Sequence, residues 1–91
     1  MKANKAYVYI VKCADDSYYT GYTVDLDERL KIHNLGKGAK YTRARLPVSF
    51  VFTYECENKS MAMSYEYKIK QLNRKEKEDL IKGILSLDQI F

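Results

Sequence analysis

Apolar positions run along this chain with two different periods, and the changes of period mark the elements. Tyr7-Val8-Tyr9-Ile10-Val11 is an unbroken β-branched and aromatic run, the signature of a buried strand. Ala14-Asp15-Asp16-Ser17 offers turn residues, and Tyr18-Tyr19-Thr20-Gly21-Tyr22 reads as a second strand, so the two predict a hairpin. Gly21 inside that strand predicts a bulge or a close backbone approach. The period then lengthens to that of a helix. Leu26, Arg29, Leu30 and His33 fall on one side, with Asp25 and Glu28 resembling a capping box and Gly36 as the stop. Arg29 and His33 lie one turn apart at the edge of the apolar stripe, toward the sheet. A charge placed there is either paired in the core or lines a cleft beside it.

After Pro47, Val48–Tyr54 reads as the third strand. Asn58 and Ser60 can open a second helix over roughly Met61–Leu72, with Ala62, Tyr65, Ile69 and Leu72 as its stripe and Glu66 beside Tyr65. Asn73 with Glu76 predicts another capping box and a third helix to about Gly83, its charged face solvated. The tail Ile84–Phe91 is apolar enough to dock. The order β-β-α-β-α-α predicts an α+β domain, a small three-stranded antiparallel sheet flanked by about three helices.

Composition narrows this further. Ninety-one residues, 46% of them hydrophobic, make one domain, 1–91 with a core over about 7–82, and argue against disorder. No apolar run approaches the ~20 residues of a membrane span. Ala6–Val11 falls short of the ~7–15 residues of a signal-peptide core before Lys12 ends it. A cytoplasmic protein with no membrane association is expected. Two cysteines, Cys13 and Cys56, are too few for a disulfide framework and read as reduced, half-buried thiols. With a single histidine, a multi-histidine metal site is excluded. No serine nucleophile elbow or glycine-rich phosphate loop is present, so any chemistry rests on Tyr, Arg, Glu and His33.

Sixteen Lys+Arg against 12 Asp+Glu give a net charge of +4, a modest excess unevenly spread. No acidic residue falls between Arg29 and Tyr54, and Gly36–Arg45 is basic, small and aromatic, with two glycines that predict a loop. Lys37, Lys40, Arg43 and Arg45 suit a phosphodiester backbone, and Tyr41 suits stacking on an unpaired base. A solvated surface loop is the plain alternative. The acid-free length favours an anionic polymer.

Tyr9, Tyr19, Arg29, His33 and Glu66 are the polar groups that the pattern turns inward. Taken singly, each reads as structural: core tyrosines, an Arg29–Glu66 bridge, a packed histidine. Together they offer a cation, a carboxylate, two phenols and an imidazole, a kit suited to phosphodiester hydrolysis. At these residues the chain resembles the GIY-YIG nuclease family. The paired motifs stand as Tyr7-Val8-Tyr9 and Tyr19-Thr20-Gly21, with Arg29 ten residues after Tyr19, His33 at i+4 from it, and Glu66 within Tyr65-Glu66-Tyr67-Lys68-Ile69-Lys70. The resemblance covers roughly Tyr7–Ile81 and is nearest to small stand-alone bacterial members. Tyr7, Val8 and Thr20 depart from the motif letters but leave both phenols in place. Asn73 is a candidate for the family's late polar helper.

The resemblance implies a DNA endonuclease using one Mg²⁺ or Mn²⁺ ion, with a setting in DNA repair or recombination. Glu66 would hold the metal, Arg29 would grip a phosphate oxygen, Tyr9 or Tyr19 would take the proton of the attacking water, and His33 would assist or relay it. The basic loop would bind flanking phosphates without reading sequence. DNA, taken structure-selectively or non-specifically, is the implied partner, with a protein partner for targeting. Two alternatives follow in order: a nucleic-acid-binding module that does not cut, and a protein-interaction domain docking through the tail and surface tyrosines.

Overall fold

The hairpin forms where the β-branched run predicts it. The computed structural model describes residues 5–90, the side chain of Ile90 excepted; Phe91, part of the predicted tail, lies outside the described residues. Three strands, β1 (Ala6–Lys12), β2 (Tyr18–Thr23) and β3 (Ser49–Cys56), form one sheet. Their order is β2-β1-β3, and both pairings are antiparallel. The central β1 is covered on both faces, so its sequence needs no alternation: Val8, Ile10 and Val11 are all 0% exposed. Each such side chain contributes ~1.5–3 kcal/mol by leaving water.

Five helices flank the sheet: α1 (Leu26–Asn34), α2 (Lys40–Arg43), α3 (Lys59–Lys70), α4 (Arg74–Ile81) and α5 (Leu87–Ile90). Asp25 caps α1 by accepting from the Glu28 N–H at 3.0 Å. The bond back from Glu28 is replaced, because the Asp25 N–H already donates to the Thr23 hydroxyl at 3.1 Å. At α4 the full box of Asn73 and Glu76 is made.

One expectation is corrected. The basic stretch is not all loop: it carries the single turn α2, which is too short to show a period and turns Thr42 fully inward. The apolar tail contains a helical turn, and its Leu87 joins the core of this same chain.

Two apolar layers follow from the strand pleat. One face packs Ala6, Val8, Ile10 and Cys56 against Ala62 and Ile69 of α3, Leu80 of α4 and Leu87 of α5. The other packs Tyr9, Val11, Cys13 and Val48 against Leu26 and Leu30 of α1. Cys13 and Cys56 thus sit in different layers, free and buried rather than half-buried. Asn34, at the end of α1, clamps the entry to β3: its amide donates to the Val48 carbonyl at 3.1 Å, and its carbonyl accepts the Val48 N–H at 2.8 Å.

Thr20 lies opposite Ile10 at 3% exposure, and its hydroxyl has no hydrogen-bond partner. An unpaired buried hydroxyl is costly, whereas an apolar group of the same shape is not. Thr20→Val is therefore expected to stabilise the fold by about 1 kcal/mol, read as an upward shift of the urea midpoint with unchanged slope. A downward shift would show that Thr20 has a role in packing or hydration.

Candidate active site

β2 is an edge strand, so helices from both layers reach around it. In the β1–β2 register Tyr9 stands opposite Gly21 and Val11 opposite Tyr19. Cross-strand partners share a face, so the two tyrosines project on the same side. α1 covers that side and carries Arg29 and His33 one turn apart. α3 packs against β1 and β2 from the other layer and brings Glu66 to the same edge. Tyr9, Tyr19, Arg29, His33 and Glu66 all line one cavity of about 430 Å³, together with Gly21, Gly38 and Lys59 among others.

Close approach, not a bulge, explains Gly21. A Cβ there would lie 2.6 Å from the Tyr9 hydroxyl oxygen and 2.8 Å from Cζ. The sheet's irregularity falls elsewhere, between Ile10 and Val11 where β1 pairs with β3. Tyr9, only 2% exposed, is held edge-on by Phe50 and His33, with centroids 5.3 and 5.9 Å away. Its hydroxyl lies 2.9 Å from His33 Nε2. His33, 1% exposed, places Nδ1 2.9 Å from the Thr42 hydroxyl oxygen.

Burial, with help from the nearby Tyr19 and Glu66 and against the opposing Arg29 guanidinium, pushes the Tyr9 phenol well above its ordinary range. Burial first, and Arg29 second, hold the His33 imidazole below its usual value. Both groups are thus neutral at neutral pH, joined by one hydrogen bond.

Arg29 does not form the structural bridge to Glu66. The ion-pair partner of Glu66 is Lys70, one turn on at 3.2 Å. Arg29 Nε is buried and has no hydrogen-bond partner. An unpaired guanidinium nitrogen buried beside a cavity costs free energy unless an anion completes it. Glu66 is the carboxylate of the lining, and the described residues hold no cluster of three or more His, Cys, Asp or Glu. That donor set does not suit a closed transition-metal cage. It does fit Mg²⁺ or Mn²⁺, which keeps several waters and takes one or two carboxylates plus substrate oxygens.

The basic segment divides into two groups. Arg45 is committed internally: it pairs with Asp15 at 3.0 Å, donates to the Tyr41 carbonyl at 2.8 Å and lies 3.9 Å over the Tyr41 ring. Tyr41 in turn stacks on Tyr19 at 6.1 Å and 19°. These two buttress the wall of the cavity, while Lys37, Lys40 and Arg43 carry no ion pair among the described residues and lie outside the cavity lining. Asn73 caps α4 and does not line the cavity.

Sequence reasoning missed Lys59, Gly38 and Thr42. Lys59 was legible in principle, lying two turns before Glu66 on one helical face. Gly38 and Thr42 carried no signal, because their contacts depend on how α2 folds back onto His33.

The model of the GIY-YIG catalytic domain matches residues 5–79. The chain is 54% identical over 79 residues to a UPF0213 protein of Bacillus cereus, covering 87% of this chain and 82% of that one. It is 51% identical over 78 residues to a UPF0213 protein of Streptococcus pneumoniae, covering 86% and 79%. The solution NMR structure of the UPF0213 protein BH0048 from Bacillus halodurans superposes with a TM-score of 0.57 at 46% identity, covering 94% and 92%. That of EF2693 from E. faecalis gives 0.60 at 40% identity, covering 91% of each. A domain match across most of the chain, and relatives this similar over nearly their whole length, mean that the chain belongs to the GIY-YIG catalytic-domain family, among its small UPF0213 members.

Proposed function

We propose that this protein is a metal-dependent DNA endonuclease that hydrolyses a backbone phosphodiester. The observation that carries the reading is the convergence of Tyr9, Tyr19, Arg29, His33 and Glu66 on one cavity, with Arg29 Nε buried and unpartnered. A phosphate seated there completes Arg29, whose planar fork matches two phosphate oxygens. Glu66 would hold Mg²⁺ or Mn²⁺, which would supply Lewis-acid stabilisation of the charge on the phosphate.

Tyr9 suits the role of base better than Tyr19, because its hydroxyl lies 2.9 Å from an imidazole nitrogen able to pass a proton on. A free Tyr9 phenolate is disfavoured by burial, so the proton moves through the phenol. As a water oxygen bonds to phosphorus, its proton passes to the Tyr9 oxygen, and the Tyr9 proton passes to His33 Nε2. The bond from phosphorus to the leaving oxygen breaks, and that oxygen takes a proton from solvent. The resulting imidazolium returns its proton to solvent, restoring the neutral pair. Tyr19, backed by Tyr41 and Arg45, shapes the wall. Lys37, Lys40 and Arg43 bind flanking phosphates, so affinity falls steeply with salt.

One observation favours a binding module that does not cut: Lys70 already neutralises Glu66. Plasmid, branched and single-stranded DNA incubated with Mg²⁺, Mn²⁺ or a chelator separate the two readings. The endonuclease reading expects metal-dependent nicking, lowered at least about a hundredfold in Glu66→Ala with DNA binding retained. Salt-sensitive binding that is indifferent to metal and to Glu66→Ala, with no cleavage of any substrate, would establish the binding module instead.

A further inference from the structure

Thr42 lies outside the cavity lining, yet it is fully buried and touches the one ring whose proton arrangement the chemistry depends on. The chain of contacts runs from the backbone to the phenol. The Thr42 hydroxyl lies 3.0 Å from the Ala39 carbonyl oxygen and 2.9 Å from His33 Nδ1. His33 Nε2 lies 2.9 Å from the Tyr9 hydroxyl oxygen. A threonine one turn into a short helix commonly donates to the carbonyl three residues back, as Thr42 does here. A hydroxyl has one proton. Spent on Ala39, it leaves Thr42 an acceptor toward His33, so Nδ1 carries the imidazole proton.

The other end of the chain fits the same arrangement. The Tyr9 hydroxyl is buried, and His33 Nε2 is its hydrogen-bond partner. With Nδ1 protonated, Nε2 presents a lone pair and accepts the Tyr9 proton. With Nε2 protonated, the Tyr9 oxygen would accept from it and the phenolic proton would have to turn into the cavity, away from the imidazole.

From these contacts we infer that Thr42 is a positioning residue: with the Ala39 carbonyl behind it, it holds His33 in the Nδ1–H tautomer and so makes Nε2 the acceptor for Tyr9. The neutral imidazole is thereby oriented as a proton acceptor by a hydroxyl and a main-chain carbonyl. No carboxylate takes part. Gly38 is part of the same device, since a Cβ there would overlap His33 Nδ1, the atom that Thr42 engages. The catalytic consequence rests on the proposed endonuclease reading, but the tautomer itself does not.

The chain has a single histidine, so ¹⁵N NMR of protein free of added histidines reports His33 without assignment. The imidazole nitrogen shifts and couplings distinguish a protonated from an unprotonated ring nitrogen. Wild type is expected to show Nδ1 protonated and Nε2 bare. Thr42→Ser should keep both this signature and the single-turnover cleavage rate within a few-fold. Thr42→Val should shift the population toward Nε2–H and lower the cleavage rate at least about tenfold, with DNA affinity unchanged. A wild-type signal from Nε2–H overturns the inference outright, whether or not Thr42→Val folds. An unchanged tautomer and unchanged cleavage rate in a folded Thr42→Val also overturn it. Wild-type protein that shows Nδ1–H but cuts no DNA leaves the tautomer assignment standing and refutes the endonuclease reading alone.

Discussion

Arg29→Ala is expected to lower cleavage by about two to three orders of magnitude, the usual loss when one preorganised donor to a developing charge is removed, while leaving stability within about 1 kcal/mol of wild type. The two expectations have one source. Arg29 Nε is buried without a partner, so the folded protein bears its desolvation without an internal hydrogen bond in return. On the proposed reading that cost is recovered when a phosphate arrives, which concentrates the benefit of Arg29 in the complex. Removing the side chain therefore costs the free protein little and the reacting complex much. Stability set aside at a site of function is a recurring compromise.

The same substitution has a spectroscopic signature. The Arg29 guanidinium pushes the His33 imidazole down and opposes the rise of the Tyr9 phenol, burial being the larger influence on both. In Arg29→Ala the His33 titration should move up, toward but not reaching its ordinary value, because burial persists. The Tyr9 phenol should rise further still. Arg29→Lys should keep much of this electrostatic influence but not the cleavage rate, since an ammonium lacks the planar fork. Wild-type cleavage in a folded Arg29→Ala protein would show that the phosphate does not sit at Arg29.

How far the sequence revealed the site depended on the range over which each signal acts. Strand and helix periods place Tyr9, Tyr19, Arg29, His33 and Glu66 on definite faces of definite elements, and a face is a local property. The convergence of four elements, β1, β2, α1 and α3, at the β2 edge is a matter of topology, which the motif resemblance implied and local pattern did not. Gly21 was marked because a glycine in a strand needs a reason, though the alternatives of a bulge and a close approach were separated only by the position of Tyr9. Thr42 was invisible because a threonine between cations in a glycine-containing segment looks like solvent-facing filler, and one helical turn is too short to show a period. For Arg45 and Tyr41 the composition pointed outward to an anionic polymer. Their partner Asp15 lies 30 residues before Arg45, in the hairpin turn, and nothing local announces it.

Gly21→Ala tests whether the motif glycine serves the ladder or the phenol. The added Cβ would lie 2.6 Å from the Tyr9 hydroxyl oxygen and 2.8 Å from Cζ, distances that real structures do not tolerate. The backbone cannot yield easily, because Gly21 is paired with Tyr9 itself in the β1–β2 ladder. The ring cannot swing freely either, being enclosed by Phe50 and His33. Overpacking of this kind costs about 1–3 kcal/mol, partly offset because alanine stiffens the unfolded chain. Whatever relief is found must move the Tyr9 hydroxyl off His33 Nε2, and a displacement of about 1 Å at a reacting group can cost about a hundredfold in rate. Gly83→Ala is the matched control. Gly83 has φ +80° and nothing within 4 Å of a built Cβ, so the substitution strains the backbone without touching the cavity and should lower stability but not cleavage. The decisive comparison is a double-mutant cycle with Tyr9→Phe, which deletes the atom at 2.6 Å and leaves the one at 2.8 Å. In that background the stability cost of Gly21→Ala should shrink by an amount outside the ~0.3–0.5 kcal/mol scatter of independent sites. Additive costs in denaturant unfolding would mean that the glycine is needed by the strand alone.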